Sequence, residues 1–296
     1  MEPRLAEFLE RKLGAGWLAP NYAFLFALAV LLGLYLAVRY AKNTGRDPLK
    51  IFKVGVITVG AAFISARLFV VLEHFGYYSE RPAEIFYYWQ HGIASSGAYL
   101  GGIVAAIVVS RWFQVRPSTF LDCAAPSVAL AICLGRVGCF LNGCCYGRPS
   151  TLSWAVSFPP GSEPHDQQLF QGVIGPNQAA LPLHPTQLYE ALFALALFGL
   201  LLAYRRRPRR DGELIASLFL FYSCGRFFFE FLRGDDRWMA LGISVPQYLS
   251  ILGMTIAASF LLAARIRTKA PARLYPKNSD PEFAGRNPAT EAQAVG

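Results

Sequence analysis

The sequence predicts an all-α polytopic membrane protein with seven transmembrane helices and a long external loop between helices four and five. Of its 296 residues, 54% are hydrophobic and only 16% are charged, whereas soluble domains carry about 25% charged residues. Apolar runs of about twenty residues, the length that spans a bilayer, recur along the chain. The net charge of +9 is gathered in short clusters between these runs, which is typical of topology-setting loops and argues against a nucleic-acid-binding face.

Seven apolar runs account for most of the chain. They cover residues 22–38, 51–72, 93–110, 119–141, 186–203, 214–232 and 243–266. Two serines and a glycine at positions 95–97 interrupt the start of the third run. We therefore divide the chain into an N-terminal surface segment (1–19), a seven-helix transmembrane domain (20–268) and a cytoplasmic tail (269–296). The tail is rich in Pro, Asn, Glu and Ala, a composition that predicts disorder.

Basic residues are distributed unevenly among the connections between the runs. The first, third and fifth connections and the C-terminal side hold clusters, whereas the alternate connections hold far fewer. Because positively charged loops stay in the cytoplasm, seven crossings place the N-terminus outside and the C-terminus in the cytoplasm. The segment 144–183 is then external, and its aromatic and apolar residues predict a packed or membrane-lying cap.

Ionisable residues inside the runs are informative because each charge near the bilayer centre costs about 2.5–3.5 kcal/mol. Apart from Lys53 and Arg265, which belong to the basic clusters at the ends of their runs, they are Arg67, Asp122, Arg136, Glu190, Arg226 and Glu230. Six such residues predict a shared polar cavity. Arg67 and Asp122 pair either with each other or with the remaining four, and the sequence leaves both arrangements open.

Two of these charges lie on the sixth run. Tyr222, Arg226 and Glu230 are spaced i, i+4, i+8, which places them on one face of a helix and lets Arg226 pair with Glu230. Two interpretations stay open. One is a neutralised pair that locks the bundle, and the other is a guanidinium that faces an anionic headgroup.

The fifth run opens with polar residues. Thr186 resembles a helix N-cap, and Gln187 and Glu190 follow on one face at i, i+3 spacing. Capping explains Thr186 alone, so Gln187 and Glu190 need another role. We expect His184, just before them, to be a hydrogen-bonded loop residue.

The stretch from 134 to 149 carries two arginines, one asparagine, three cysteines and four glycines within sixteen positions. Glycines allow close approach of the backbone, and arginine makes bidentate contacts with phosphate. Arg136 is therefore the strongest candidate for an anion-binding residue. The alternative is that its side chain snorkels to the external interface.

Six cysteines lie in or beside the apolar runs. Packing as small apolar side chains is the simplest interpretation of Cys123, Cys133 and Cys224. The group at positions 139, 144 and 145 allows a metal site, a disulfide in an oxidising external leaflet, or packing. Because no nearby histidine completes four ligands, we expect packed thiols, no bound metal and no cofactor.

Together these motifs resemble the prolipoprotein diacylglyceryl transferase family of the bacterial inner membrane, over residues 20–268. The family's central pattern is Gly-Arg-x-Gly-Asn-Phe-x-Asn-x-Glu-x-x-Gly, and its spacing is followed without a gap. The matching segments are residues 135–147, 184–190 and 222–233, together with Arg67 and the pair Gly101-Gly102. The chain departs from the family where Leu100 replaces a common histidine, and where Cys139 and Cys144 replace the pattern's first Asn and its Glu. It is identified as a divergent member.

The resemblance implies that the diacylglyceryl group of phosphatidylglycerol moves to the thiol of a lipobox cysteine in a prolipoprotein. The products are a thioether and glycerol phosphate. The implied partners are phosphatidylglycerol, lipobox-containing prolipoproteins and the lipid bilayer, with no nucleic acid. We expect Arg136 to bind the phosphate of phosphatidylglycerol, Arg226 to act on the leaving phosphate or the nascent thiolate, and Glu230 to orient Arg226. The expected substrate-binding residues are Arg136, Asn142, Gly147, Tyr222, Tyr22, Gln187, Glu190 and Tyr99.

Proton removal from the thiol is left open by the sequence. Three alternatives stay open. Nearby guanidinium charge alone makes the thiol acidic enough, Tyr99 or Glu190 serves as the base, or this protein has lost the reaction. Two rival classes follow: a non-catalytic paralog that binds phospholipid or lipoprotein precursors, and a small-solute transporter. The lack of an internal repeat argues against the transporter.

Overall fold

Long apolar helices dominate the computed structural model, which describes residues 18–86, 94–175, 178–205, 210–235 and 239–266. The long helices are α1 (Leu18–Asn43), α2 (Pro48–Glu73), α4 (Ser95–Trp112), α5 (Pro117–Asn142), α7 (Thr186–Tyr204), α8 (Glu213–Phe229) and α9 (Val245–Ile266). The short elements are α3 (Phe75–Glu80), α6 (Glu163–Phe170), two 3-10 turns (Pro82–Phe86 and Glu230–Leu232), and the antiparallel strands β1 (Met239–Ala240) and β2 (Ile243–Ser244). The predicted surface segment up to residue 17 and the tail 269–296 lie outside the described residues.

Each of the seven predicted apolar runs coincides with one long helix. Among the described residues, six helices are long and apolar enough to cross a bilayer. These spans are Phe24–Asn43, Pro48–Glu73, Pro117–Asn142, Thr186–Tyr204, Glu213–Leu232 and Val245–Ile266. The apolar part of α4, Ser96–Trp112, is shorter. Large apolar side chains such as Phe24 and Ile64 remain 66% and 69% exposed, as expected of helix surfaces that face lipid.

The chain divides into two compact units. Of the described residues, the first unit comprises 18–34, 124–175, 178–205, 212–235 and 239–265, and the second comprises 35–86, 94–123, 210–211 and 266. The first unit thus holds most of α5 together with α7 and α8. The second holds α2 and α4.

Glycines on α4 allow its close packing on α2 in the second unit. A Cβ built at Gly101 would lie 2.1 Å from the Cβ of Ser65, and one at Gly97 would lie 2.5 Å from the Cβ of Phe69. Membrane helices commonly approach through small residues in this way. Gly101 is therefore a packing residue.

Two of the six predicted intramembrane charges belong to the second unit. Arg67 donates to the backbone carbonyls of Glu84 at 2.7 Å and Ile85 at 2.9 Å, and its guanidinium lies 5.3 Å from the ring centroid of Tyr78. Asp122 is 1% exposed. Arg67 thus holds the 3-10 turn that follows α3.

The segment between α5 and α7, in the first unit, is folded rather than extended. Isolated β-bridges join Pro149 and Val156 to Leu183. Tyr146 and Phe158 pack with the same leucine in a buried apolar cluster. This packing brings the residues that follow α5 against the start of α7.

We expect Gly101→Ala to lower the stability of the detergent-solubilised protein by about 1–3 kcal/mol, because the new methyl group overlaps Ser65. Thermal unfolding measures the change. Gly102→Ala is the matched control, since its Cβ would lie 3.4 Å from the nearest atom, the Cβ of Ala62. Adding Ser65→Gly to Gly101→Ala should recover much of the loss. Equal unfolding midpoints for the two alanine variants would contradict the packing role.

Candidate functional site

A buried carboxylate lies at the centre of the charged cluster in the first unit. Glu190, in the second turn of α7, is 2% exposed. It pairs with Arg136 at 2.8 Å and with Arg226 and Arg233 at 3.6 Å each. Three guanidinium groups therefore converge on one carboxylate. Arg136 comes from α5, Arg226 comes from α8, and Arg233 directly follows the second 3-10 turn.

Two further carboxylates complete the cluster. Glu230 lies 2.9 Å from Arg226 and accepts a hydrogen bond of 2.9 Å from the hydroxyl of Ser244. Asp235 holds Arg233 through two hydrogen bonds of 2.9 and 2.6 Å. The cluster thus pairs three guanidinium groups with three carboxylates, and their formal charges cancel. Such pairing is what makes buried charge tolerable.

The three arginines differ in accessibility. The side chain of Arg233 is 1% exposed, whereas those of Arg136 and Arg226 are 16% and 14% exposed. Arg233 is therefore enclosed by protein groups. Arg136 and Arg226 keep an accessible part, which leaves both able to meet an anion from outside the cluster.

The end of α8 differs from the predicted spacing in one respect. The α-helix ends at Phe229, so Glu230 begins a 3-10 turn and does not continue the helix that carries Tyr222 and Arg226. The tighter turn still leaves Glu230 beside Arg226. Tyr222 is partly buried and interacts electrostatically with the guanidinium of Arg136.

The prediction that Thr186 caps α7 is wrong. Pro185 occupies the cap position without a side-chain hydrogen bond, and Thr186 is the first helical residue. The Thr186 hydroxyl donates to the carbonyl of Cys145 at 3.0 Å, and the amide of Gln187 donates to the carbonyl of Cys144 at 2.8 Å. Gln187 is fully buried. The start of α7 therefore uses its side chains to hold the turn after α5, because those carbonyls lie outside any helix.

Gly147 lies where two backbone segments approach closely. Its N–H donates to the carbonyl of His184 at 3.1 Å. A Cβ at this position would lie 2.6 Å from the Cβ of His184 and 2.8 Å from the Thr186 side chain. A Cβ at Gly234 would lie 2.4 Å from the carbonyl oxygen of Gly147. The close approach that glycines allow here joins the turn after α5 to α7 and to the residues after α8.

Three thiols lie beside the arginines. The sulfur atoms of Cys139, Cys144 and Cys145 are all within 4.8 Å of one another, and all six cysteines of the chain are free. Hydrogen bonds with the other two thiols, together with the charge of Arg233, lower the pKa of the Cys145 thiol. The guanidinium charge of Arg233, which pairs with carboxylates in the cluster, thus also favours the thiolate form of Cys145.

Asn142, Tyr22 and Tyr99 are the remaining predicted site residues. Asn142 is the last residue of α5, is exposed, and interacts with the Cys144 thiol. Tyr22 lies in α1, but its side chain is outside what the structure describes. Tyr99 is 63% exposed and belongs to the second unit.

Sequence reasoning missed Arg233 and Asp235 as members of the cluster. Arg233 closes the matched segment 222–233, so the motif held a signal that was not used. Asp235 follows two residues later, beyond the apolar run, where charged residues are ordinarily assigned to loops. Ser244, the hydrogen-bond partner of Glu230, carried no signal in the sequence.

Comparison with known proteins finds relatives over most of the chain. The family model described as "Prolipoprotein diacylglyceryl transferase" matches residues 17–263. Relatives from several bacteria carry the name phosphatidylglycerol--prolipoprotein diacylglyceryl transferase. The protein of Streptococcus equi subsp. equi (strain 4047) is 36% identical over 243 residues, which is 81% of this chain and 88% of the relative. That of Nitrosospira multiformis (strain ATCC 25196 / NCIMB 11849 / C 71) is 34% identical over 271 residues, which is 88% of this chain and 85% of the relative. The chain therefore belongs to the prolipoprotein diacylglyceryl transferase family.

Proposed function

We propose that this chain transfers the diacylglyceryl group of phosphatidylglycerol to the lipobox cysteine of prolipoproteins, with Arg136 and Arg226 binding the lipid phosphate. The observation that carries the site assignment is the pair of partly exposed guanidinium groups, on different helices, held by one buried carboxylate. Arginine matches phosphate geometry through paired N–H donors. Family membership supports the reaction, and the cluster supports the place where it occurs.

The reaction makes two electrostatic demands on the site. The thiolate sulfur forms a bond to the terminal glyceryl carbon while the bond from that carbon to the phosphate oxygen breaks. The electron pair of the broken bond leaves with glycerol phosphate, and the thiol proton is lost. Guanidinium groups aimed at the phosphate stabilise the negative charge that grows on it in the transition state. The same positive charge favours the thiolate over the thiol.

The carboxylates position the arginines in this proposal. Glu190 holds Arg136 and Arg226 in one orientation, and Glu230 holds Arg226 from the other side. Because Glu190 is committed to three ion pairs, we assign it positioning and not proton removal. The formal charges of the three arginines and three carboxylates cancel, so a bound phosphate gives the cluster a net negative charge.

The other residues act on the headgroup or on the backbone near it. Tyr222, next to Arg136, and Asn142, at the end of α5, donate hydrogen bonds to the headgroup. Gln187 and Gly147 fix the turn that follows α5, so they act on substrate through that turn.

The topology also belongs to this proposal. We place seven crossings in the bacterial inner membrane, with the N-terminus outside, the C-terminus in the cytoplasm and the segment 144–183 external. The uneven distribution of basic residues supports this orientation. The start of that segment follows directly on α5, so the arginine cluster lies toward the outer surface, where secreted prolipoproteins arrive.

Replacing Arg136 by alanine is expected to reduce diacylglyceryl transfer by about 100-fold or more, the loss typical of one electrostatic donor at the reacting centre. Transfer from phosphatidylglycerol to a lipobox peptide, with purified protein in detergent, measures it. Arg39→Ala is the control, because Arg39 is exposed and bonds to Tyr35 on the same helix. Full activity in Arg136→Ala would overturn the site assignment. Wild-type protein that binds phosphatidylglycerol without transferring its lipid would be a non-catalytic paralog.

Replacing Glu190 by glutamine is expected to destabilise the protein by about 3 kcal/mol, because the buried guanidinium of Arg233 and the partly exposed ones of Arg136 and Arg226 lose their common partner. Added glycerol phosphate should raise the unfolding temperature more in this variant than in wild type, since its phosphate replaces the missing charge. Thermal unfolding in detergent provides the measurement, with glycerol as the uncharged control. A variant that responds to glycerol phosphate no more than wild type would contradict a phosphate site at this cluster.

A further inference from the structure

We propose that the thiols of Cys139, Cys144 and Cys145 bind one thiophilic divalent cation of the Zn²⁺ class and leave one coordination position for the acceptor cysteine. This inference departs from the expectation that the three thiols only pack. Cation binding by the three thiols stands on the geometry alone. The role of the free position rests on the proposed function.

The geometry of the three sulfurs is close to that of a metal site. They all lie within 4.8 Å of one another. Thiolates around one Zn²⁺ ion, with bonds of about 2.3 Å, are separated by about 3.8–4.0 Å. The largest separation between the sulfurs therefore exceeds the spacing on one ion by no more than about 1 Å.

The backbone that carries the thiols is held in place by its neighbours. Cys139 lies in the last turn of α5, and the N–H of Cys144 donates to its carbonyl at 3.1 Å. Cys145 has a φ of 63°, in the left-handed region that side chains with a Cβ rarely adopt. The hydrogen bonds from Thr186 and Gln187 fix the two carbonyls of this turn. A strained turn with such support presents all three thiols on the same side.

The three thiols are more accessible than Cys123 and Cys133, which are buried, and each is partly exposed, as Cys224 is. A cysteine that only packs as a small apolar side chain stabilises the fold most when it is completely buried. Partial exposure of all three instead leaves a route by which an ion or a fourth ligand reaches the sulfurs.

The charge of the surroundings suits a thiolate–metal group. Three thiolates and one divalent cation carry a net charge of −1. Arg233 interacts electrostatically with Cys145, and Arg136 interacts electrostatically with Cys139 and Cys145. Guanidinium groups beside the sulfurs therefore offset the residual negative charge and orient the ligands, as outer partners of metal ligands commonly do.

The ligand set leaves a position open. Within the described part of the chain, no histidine or carboxylate joins the three thiols. Zinc sites with three protein ligands take a water or a substrate as the fourth. A thiol that binds the ion loses its proton to solvent, so the acceptor cysteine would be held as thiolate beside the phosphate-binding arginines. Its sulfur would form a bond to the glyceryl carbon while the bond from that carbon to the phosphate oxygen breaks. The electron pair of the broken bond would leave with glycerol phosphate, and the neutral thioether would leave the ion, whose oxidation state would not change.

The test is a titration of the full chain, reduced and freed of metal in detergent, with Co²⁺ as a spectroscopic probe. We expect one saturable site per chain with a thiolate-to-cobalt charge-transfer band that Zn²⁺ removes. Serine at any of the three positions should weaken binding at least tenfold. Cys224→Ser is the matched control, because Cys224 is also partly exposed and lies outside the group. Thermal unfolding shows that each variant is folded.

Several results would overturn the proposal. One is the absence of the charge-transfer band in folded, reduced wild-type protein. Another is a band that persists when all three cysteines are replaced by serine. A third is a disulfide between two of the three cysteines in protein isolated with its thiols blocked. A lipobox peptide should change the cobalt band, and the same peptide with serine for cysteine should not. An identical response to the two peptides would contradict the open position.

The two proposals fail separately. Arg136→Ala protein should keep the cobalt site while losing transfer, because Arg136 is not a ligand. Wild-type protein that binds cobalt but transfers no lipid would refute the proposed function and leave cation binding intact. Wild-type protein that transfers lipid at full rate without any bound ion would refute the role of the open position, and it would leave cation binding and the proposed function intact.

Discussion

The Glu190 carboxylate is the contact on which the rest of the site depends. It is nearly inaccessible to solvent and pairs with arginines from three separate segments. Guanidinium groups brought so close together repel one another unless negative charge lies between them. The carboxylate therefore makes the convergence of α5, α8 and the residues after α8 energetically tolerable, and it sets the orientation of the two arginines that stay accessible.

The turn after α5 connects this charge cluster to the thiols. Gly147 lets the turn approach both His184 and Gly234, and the side chains that open α7 hold its carbonyls. One backbone arrangement thus determines where Arg233 lies and where the cysteine sulfurs point. A change that disturbs the turn is expected to affect phosphate binding and the thiol group together, which makes the two properties physically linked.

The helices were predictable because the bilayer demands about twenty apolar residues per crossing, and the Arg226–Glu230 contact followed from i, i+4 spacing. The meeting of Arg136 with Glu190 did not follow from any spacing, since the two residues lie on different helices. Thr186 was misread because a tertiary carbonyl competed with the cap position. The convergence of the thiols depends on the left-handed backbone of Cys145, which its residue type does not predict.

The central claim is that Arg136 and Arg226 share one lipid phosphate. A structure of the protein with bound phosphatidylglycerol, determined by crystallography or electron cryomicroscopy, tests it most directly. The account predicts phosphate oxygens within hydrogen-bonding distance, about 2.7–2.9 Å, of both guanidinium groups. A phosphate held elsewhere, with both arginines still bound only to carboxylates, would contradict it.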